Sequence, residues 1–430
     1  MTKPLKIAVA GLGTVGAGTL GLLAANGDLI AARCGRPMVV TAVAARDRHR
    51  DRGVSLGEAT WWDDPVRMAA EADADVVLEL IGGADGPARA MCEAAFAKGR
   101  HVVTANKALL AHHGATLAAA AEKAGVALAY EAAVAGGIPI IKALREGLAG
   151  NRIGRVYGIL NGTCNYILTT MRETGRDFAD VLNEAQALGY AEADPSFDID
   201  GIDAAHKLTI LTSLAFGTPV DFRAVYVEGI RHITALDIAY AEQLGYRIKL
   251  LGMASRTAHG IEQRVHPCMV PLSAAIARVD GVFNAVVAEG DFVGRSVYEG
   301  RGAGAGPTAS AVVADLMDIA RNRIGPPFGI PTGSMSAAPV SPIAEHRGAF
   351  YVRLMVVDRP GVFADIAAAL RDEQVSMESV LQRSRNPGET VPVVMTLHET
   401  GEAAMKRALD RIGGIGAVVE PPRLVRIETL

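Results

Sequence analysis

Cysteine is scarce in this chain: four among 430 residues, at positions 34, 92, 164 and 268. None are near neighbours in sequence and no C-x-x-C occurs. A disulfide framework and a zinc knuckle are therefore excluded, and the usage fits a reducing, cytoplasmic setting. Long apolar runs are missing as well. No run reaches the roughly 18 residues that a bilayer span needs, so the expectation is a protein with no membrane partner. The one apolar run near the start, in "MTKPLKIAVAGLG", is broken by glycine and lacks a small-residue cleavage site, so it reads as a buried strand. A charge excess of one sign is also lacking. Lys and Arg number 43 against 47 Asp and Glu, which gives no electrostatic ground for a nucleic-acid partner. Ten histidines are scattered, and the pair His112–His113 has no partners at metal-ligand spacing.

What is present is a long globular chain. Its 430 residues exceed one ordinary core and imply two or three domains. The first third alternates short apolar runs ("LKIAVA", "VVTAVAA", "ADVVLELIG", "RHVVTAN", "VALAYEAAV") with Ala-rich helical patterns. Continuous β-branched runs bounded by helices predict a parallel sheet covered on both faces, in an α/β doubly wound domain over 1–137. Residues 138–322 mix longer helices with strands that alternate apolar and polar, such as "GIEQRVHPCMV", and read as an α+β domain with an open mixed sheet. Its last helix, "GPTASAVVADLMDIARNR", is amphipathic. Residues 323–345 are rich in Pro, Gly and Ser and read as a linker. Residues 346–430 follow a β-α-β-β-α-β order, the ferredoxin-like pattern.

"GLGTVG" places Gly11, Gly13 and Gly16, with Thr14 and Val15 between the last two, directly after the first strand and at the start of a helix. In that context the motif predicts a Rossmann-type dinucleotide site. Gly11 permits the tight turn, Gly13 lets backbone approach a pyrophosphate, and Gly16 allows close helix–strand packing. The second strand ends in "AARDRHRDRG", with Arg46 ahead of Asp47. An arginine there suits the 2′-phosphate of NADP, so NADP is the expected preference, with NAD usable.

Lys107, in "VVTANKALLA", ends a strand and starts a helix. That is the carboxyl edge of the sheet, where open α/β sheets bind ligands. A second charged cluster is "DPSFDIDGIDAAHK", residues 194–207. A helix is predicted from about 201 to 216, and it sets Asp203 and Lys207 four apart on one face. On spacing alone, two readings are equal: a surface ion pair worth about 0.3–0.5 kcal/mol, or an acid–base pair for carbonyl reduction.

Several segments resemble homoserine dehydrogenases: "TANKALLA", "YEAAVAGGIPIIKALREGLAGNRI", "GILNGTCNYILT" and "ALGYAEADPSFDIDGIDAAHK". The likeness runs over about residues 5–320, and the tail with "DRPGVFADIAAAL" resembles an ACT domain. The resemblance implies reversible NAD(P)H-dependent reduction of L-aspartate 4-semialdehyde to L-homoserine, in threonine, methionine and isoleucine biosynthesis. It implies Lys207 as proton donor and Lys107 at the junction of nicotinamide and substrate. Asp203 and Glu192 correspond to homoserine-binding acids, Asp198 to a further pocket acid, and Gly189 lies beside substrate and cofactor, as Glu192 does. Gly304, in "GRGAGAGPTAS", matches a glycine where the chain returns to the cofactor. The backbone around Glu131, Val134, Gly136 and Ile138 resembles a loop that holds a monovalent cation, Na+ or K+. The ACT-like tail implies an amino-acid effector, with L-threonine the expected one. Pairing of ACT modules and of the middle domain implies a homodimer or homotetramer.

Two other readings set themselves against this one. Cys164, in "NGTCNYI", would suit a semialdehyde dehydrogenase that acylates a thiol, but no histidine accompanies it locally. The ACT-like tail would suit an amino-acid sensor with a vestigial enzyme domain, but the lysines and glycines of the other domains are intact.

Overall fold

The apolar runs of the first third become parallel strands, and the Ala-rich segments become the helices that cover them. The computed structural model describes residues 3–382 and 388–430. In chain order the first domain comprises β1 (Leu5–Ala10), α1 (Thr14–Ala25), α2 (Gly27–Cys34), β2 (Met38–Ala44), β3 (Thr60–Trp62), α3 (Pro65–Glu71), β4 (Val76–Glu79), α4 (Pro87–Ala97), β5 (His101–Thr104), α5 (Lys107–Ala124) and β6 (Leu128–Ala129). The strands lie in the order β3-β2-β1-β4-β5-β6 and all pair in parallel. This is the doubly wound order, and its switch point falls between β1 and β4. Two details differ from expectation. The edge strand β3 has only three residues and escaped notice. "VALAYEAAV" is a strand only at Leu128–Ala129, because Glu131–Ala133 turns into a 3-10 helix.

The middle domain comprises α6 (Ile140–Lys142), β7 (Ile153–Ile159), α7 (Gly162–Thr174), α8 (Phe178–Ala187), α9 (Ser196–Ile199), α10 (Ile202–Phe216), β8 (Tyr226–Val227), α11 (Ala235–Gln243), β9 (Tyr246–Thr257), β10 (Gly260–Pro271), β11 (Phe283–Gly290), β12 (Gly294–Arg301) and α12 (Ala305–Ala320). The amphipathic α12 returns to the first domain. Its Ala311, Val312 and Leu316 join the same core as Leu5, Ile7 and Val9 of β1.

The third domain is β13 (Arg347–Val357), α13 (Val362–Asp372), β14 (Met377–Leu381), β15 (Thr390–Gly401), α14 (Glu402–Gly413) and β16 (Arg423–Ile427). That is the expected βαββαβ; the end of the expected strand "SMESVLQRS", Arg383 and Ser384, lies outside the described residues. The domain does not hang free. β16 pairs in parallel with β10, so one sheet runs β12-β11-β7-β9-β10-β16-β13-β15-β14 through both domains. Four polar residues of β10, Glu262, Gln263, Arg264 and His266, are all buried. Arg264 donates to Glu262 (2.9 Å) and pairs with Glu428, just after β16. Arg353 of β13 donates to Asp237 of α11 (2.7 Å), and Tyr351 donates to the same carboxylate (3.0 Å).

The segment expected as a linker is a strap laid on both neighbouring domains. Tyr130 Oη donates to the Pro327 carbonyl (2.7 Å), the Thr332 N–H donates to Glu122 (3.0 Å), and the Ile261 N–H donates to the Pro339 carbonyl (2.8 Å). Phe328 is buried in the core. Pro and Gly here end helices without freeing the chain.

Candidate active site

The turn from β1 to α1 has the geometry that a dinucleotide requires. Gly11 has φ +93°, and a Cβ there would lie 2.3 Å from the Leu80 carbonyl oxygen of the neighbouring strand's end. A Cβ at Gly16 would lie 2.1 Å from the Gly11 carbonyl, so only glycine lets helix and turn approach. At Gly13 nothing stands within 4 Å of such a Cβ. Gly13 caps α1 without a side-chain hydrogen bond, and Thr14 and Val15 form its first turn. The N–H groups of that turn therefore face outward, as an anion-binding helix start does. A cavity of about 670 Å³ opens here, lined among others by Gly11, Gly13, Arg46 and Arg50. Arg46 is exposed within it. Arg52 is engaged elsewhere: it lies over the Trp61 ring (5.5 Å) and donates to the Arg50 carbonyl (2.6 Å). The residues present fit a dinucleotide.

A second cavity, about 640 Å³, lies between the first two domains. At its floor α5 and α10 meet. Asn106 caps α5 by accepting from the Leu109 N–H (3.1 Å), which sets Lys107 at the first helical position. Lys107 Nζ sits 2.7 Å from Asp203 Oδ1, and Lys207 Nζ sits 2.7 Å from Asp203 Oδ2. One carboxylate thus holds two ammonium groups. Asp203 and Lys207 are buried, whereas the Lys107 side chain is one-third exposed to the cavity. Lys207 also donates to the Leu160 carbonyl (2.7 Å). Burial pushes the Lys207 ammonium below its ordinary pKa; Asp203 opposes this and Lys107 adds to it. Burial likewise disfavours charge on Lys107, but the Asp203 carboxylate outweighs it and holds that pKa up. Burial alone would raise Asp203; its two lysines overcome that and hold it below the usual carboxylate range.

The other expected residues gather around this centre. Asp198, on α9, accepts from Asn161 Nδ2 (2.8 Å) and Thr163 Oγ1 (3.1 Å); burial, then the Asp203 charge, raises its pKa. Glu192 and Gly189 are exposed on the cavity rim, and Gly304, at the start of α12, closes the opposite side. The geometry alters one expectation. Asp203 was expected to hold substrate, yet both its oxygens are occupied by lysines, so it is first of all their tether. Glu131 is buried, and its two oxygens accept from the Ile141 and Lys142 N–H groups (both 2.9 Å). Burial, reinforced by Asp315, pushes its carboxyl up to about 7. The loop with Val134, Gly136 and Ile138 can therefore offer a cation only backbone carbonyls. A Cβ at Gly136 would meet the Gly302 carbonyl at 2.4 Å, so this loop lies against the cavity wall.

Two residues were missed. Phe197 lies on the cavity with Lys107 Nζ 5.6 Å from its ring centroid; nothing in its local pattern marks it. Asn161 is buried and touches both Asp198 and Asp203. An Asn before Gly-Thr at a strand-to-helix turn is an N-cap pattern, and that signal was available. Cys164 is fully buried, its thiol pushed well up by burial and by Asp198, and it donates weakly to the Asp198 carbonyl (3.2 Å). Among the described residues no histidine stands against it and the charges nearest it are mainly carboxylates, which disfavour a thiolate and count against the thiol reading.

Comparison with known proteins agrees with this architecture. Residues 11–131 match the family model described as "Homoserine dehydrogenase, NAD binding domain", residues 139–317 match "Homoserine dehydrogenase", and residues 350–414 match "ACT domain". A homoserine dehydrogenase of Neisseria gonorrhoeae is 48% identical over 435 residues, covering 100% of this chain and 99% of its own. The crystal structure of a homoserine dehydrogenase from Thiobacillus denitrificans superposes with TM-score 0.94 at 47% identity, over 99% of this chain and 98% of that one. A hyperthermophilic archaeal homoserine dehydrogenase in complex with NADPH matches 76% of this chain and all of its own, with TM-score 0.64 and 26% identity.

Proposed function

The chain belongs to the homoserine dehydrogenase family, and on that premise we propose that its paired lysines, tethered by Asp203, handle the proton in the family's reaction. It is an oxidoreductase that interconverts L-aspartate 4-semialdehyde and L-homoserine with a nicotinamide cofactor. The observation that carries the site assignment is the single buried carboxylate at 2.7 Å from two lysines, beside a dinucleotide cradle.

When bound, a nicotinamide would supply the hydride that reaches the aldehyde carbon. Gly11, Gly13 and Gly16, with the first turn of α1 at Thr14 and Val15, would hold its phosphates, and Lys107, Gly189, Glu192 and Gly304 would border its reactive end. As negative charge develops on the aldehyde oxygen, the two ammonium groups stabilise it. Lys207, whose pKa burial lowers, gives that oxygen its proton. Lys107 is the more accessible lysine and turns from Asp203 toward the substrate. That frees Asp203 Oδ1 to join Glu192 in holding the substrate's ammonium, while Asp198 lines the pocket.

Arg46 favours NADP over NAD. A monovalent cation, Na+ or K+, is held by the backbone carbonyls around Glu131, Val134, Gly136 and Ile138; the engaged Glu131 side chain is not a donor. The ACT domain takes an amino acid, L-threonine, as feedback effector, with Gly361 at its strand-to-helix turn. The chain works as a homodimer or homotetramer in the cytoplasm; among the described residues no single helix is long and apolar enough to cross a membrane. Steady-state rates with homoserine and each cofactor, with and without threonine, test the reading. Absence of homoserine oxidation would overturn it.

A further inference from the structure

The turn between β7 and α7 grips the proton-handling pair from below. Leu160, at the end of β7, offers its carbonyl to Lys207 Nζ (2.7 Å). The next residue, Asn161, is buried and has its whole amide engaged. Oδ1 accepts from the Cys164 N–H (2.8 Å), capping α7. Nδ2 donates to Asp198 Oδ1 (2.8 Å) and to Asp203 Oδ2 (2.8 Å). These three partners fix the amide's orientation, since the oxygen must face an N–H and the nitrogen must face carboxylates.

Two carboxylates from different helices therefore converge on one neutral nitrogen. Like charges this close disfavour each other's ionisation unless a donor stands between them. The lysine charges favour both carboxylates, Lys207 acting on Asp198 as well as Asp203, but no lysine hydrogen-bonds the two together. Lys207 and Lys107 reach Asp203 from α10 and α5, Glu192 and Asp200 add negative charge, and His206 points its ring at His112, Phe197 and Phe222. Among the described residues only Asn161 donates to both carboxylates.

We infer that Asn161 is a positioning residue for the reaction: its amide holds Asp198 and Asp203 side by side and aims Asp203 at the two lysines. This rests on the proposed role of Lys207 and Asp203. It assigns to the NGT turn a task distinct from substrate contact, acting through Asp203 on where Lys207 sits and when it carries its proton.

Asn161→Asp isolates that task. Aspartate is as good an N-cap as asparagine, so α7 stays capped, but the donor facing the two carboxylates becomes an acceptor. At pH 8, kcat for homoserine oxidation falls by about 10–100-fold, the scale of a misplaced catalytic group. The deficit relative to the parent narrows between pH 8 and pH 6, as the third carboxyl takes up a proton and donates again. Asn161→Ser, which keeps a cap and one donor, shows a smaller loss with no such narrowing. Circular dichroism and Tm verify folding, and Asn161→Ser carries the test if the aspartate variant does not fold. In Asn161→Asp a deficit equal at every pH, or none, overturns the inference, as does parental turnover in Asn161→Ser where that variant carries the test, provided that Lys207→Ala is inactive in the same assay. Near-parental turnover by Lys207→Ala overturns the underlying reading instead.

Discussion

Asp203 and Lys207, one helical turn apart on α10, meet at 2.7 Å with both side chains buried. On a surface helix that spacing contributes about 0.3–0.5 kcal/mol. Here solvent is excluded, and removing one partner from a buried pair costs about 3–5 kcal/mol. Lys107 softens that cost on one side, because it neutralises the same carboxylate through the other oxygen. Asp203 thus keeps a cationic partner if one lysine turns away, as in the proposed proton transfer.

Lys207→Ala follows directly. Lys107 and Asn161 still satisfy Asp203, so the fold survives, but the proposed proton donor is gone. We expect kcat to fall by about 10²–10⁴-fold with a near-native circular dichroism spectrum. Turnover within a few-fold of the parent would remove Lys207 from the reaction.

Much of this was legible in the sequence, for identifiable reasons. The glycines at 11 and 16 meet steric limits that no other residue satisfies, so the motif and the turn coincide there, whereas Gly13 stands in open space. The α10 helix follows from its apolar spacing, and its observed span, Ile202–Phe216, lies within the expected one. Spacing could put Asp203 beside Lys207 but could not bring Lys107 from α5 onto its other oxygen, since that contact joins two domains. Likewise nothing local to Arg264 shows that it is buried. Its partner Glu428 lies 164 residues further on, and only the shared sheet brings them together.

Arg46 is exposed in the nucleotide cavity, while Arg52 is held against Trp61. Arg46→Ala is expected to lower kcat/KM for NADP by about 10–100-fold, the value of one charge-assisted hydrogen bond of about 1.5–3 kcal/mol. The NAD value should change little. Initial rates over both cofactor concentrations decide this; equal losses with both would show that Arg46 does not read the 2′-phosphate.

Cys164 is sealed and its thiol is pushed up by burial. A thiol in that setting is inert. Cys164→Ser should retain most of its turnover, and a thiol reagent should leave Cys164 unmodified in the folded enzyme, as read by peptide mass spectrometry. Abolished activity in a folded serine variant would restore the thiol route.

Acid stability is set partly at the junction of the middle and third domains. Burial alone would raise the Glu262 carboxyl, but the His346 hydrogen bond and the Arg264 charge bring it down to about 2, from an ordinary 4.5. Its folded pKa is depressed, so its contribution is present above pH 4.5 and is lost as pH falls from there toward 2. The full shift corresponds to about 3 kcal/mol. Tm should therefore respond to Glu262 below pH 4.5 and not between pH 7 and 5. Glu262→Gln should lower Tm at pH 7 and flatten its fall between pH 4.5 and 3; an unchanged slope would show that the group is not linked to folding.

A chain cut at residue 345 would seem the natural way to test effector control, but the shared sheet makes it a test of stability first. The cut removes β16 from β10, Glu428 from buried Arg264, and both Tyr351 and Arg353 from buried Asp237. Arg264 keeps Glu262, whereas Asp237 keeps only its capping contacts with Thr234. Exposing or unpairing such groups costs about 3–5 kcal/mol, or roughly 10 °C in Tm for domains of this size. The truncated chain should melt at least that much earlier and bind a dye for exposed apolar surface. A full-length Gly361→Val chain replaces a residue at φ +94° with open space around it, so it strains the proposed effector turn while leaving the domain junction intact. Threonine inhibition lost in Gly361→Val with Tm within a few degrees of the parent would place effector control in the third domain. An unchanged Tm in the truncated chain would contradict the continuous sheet as a stabilising element.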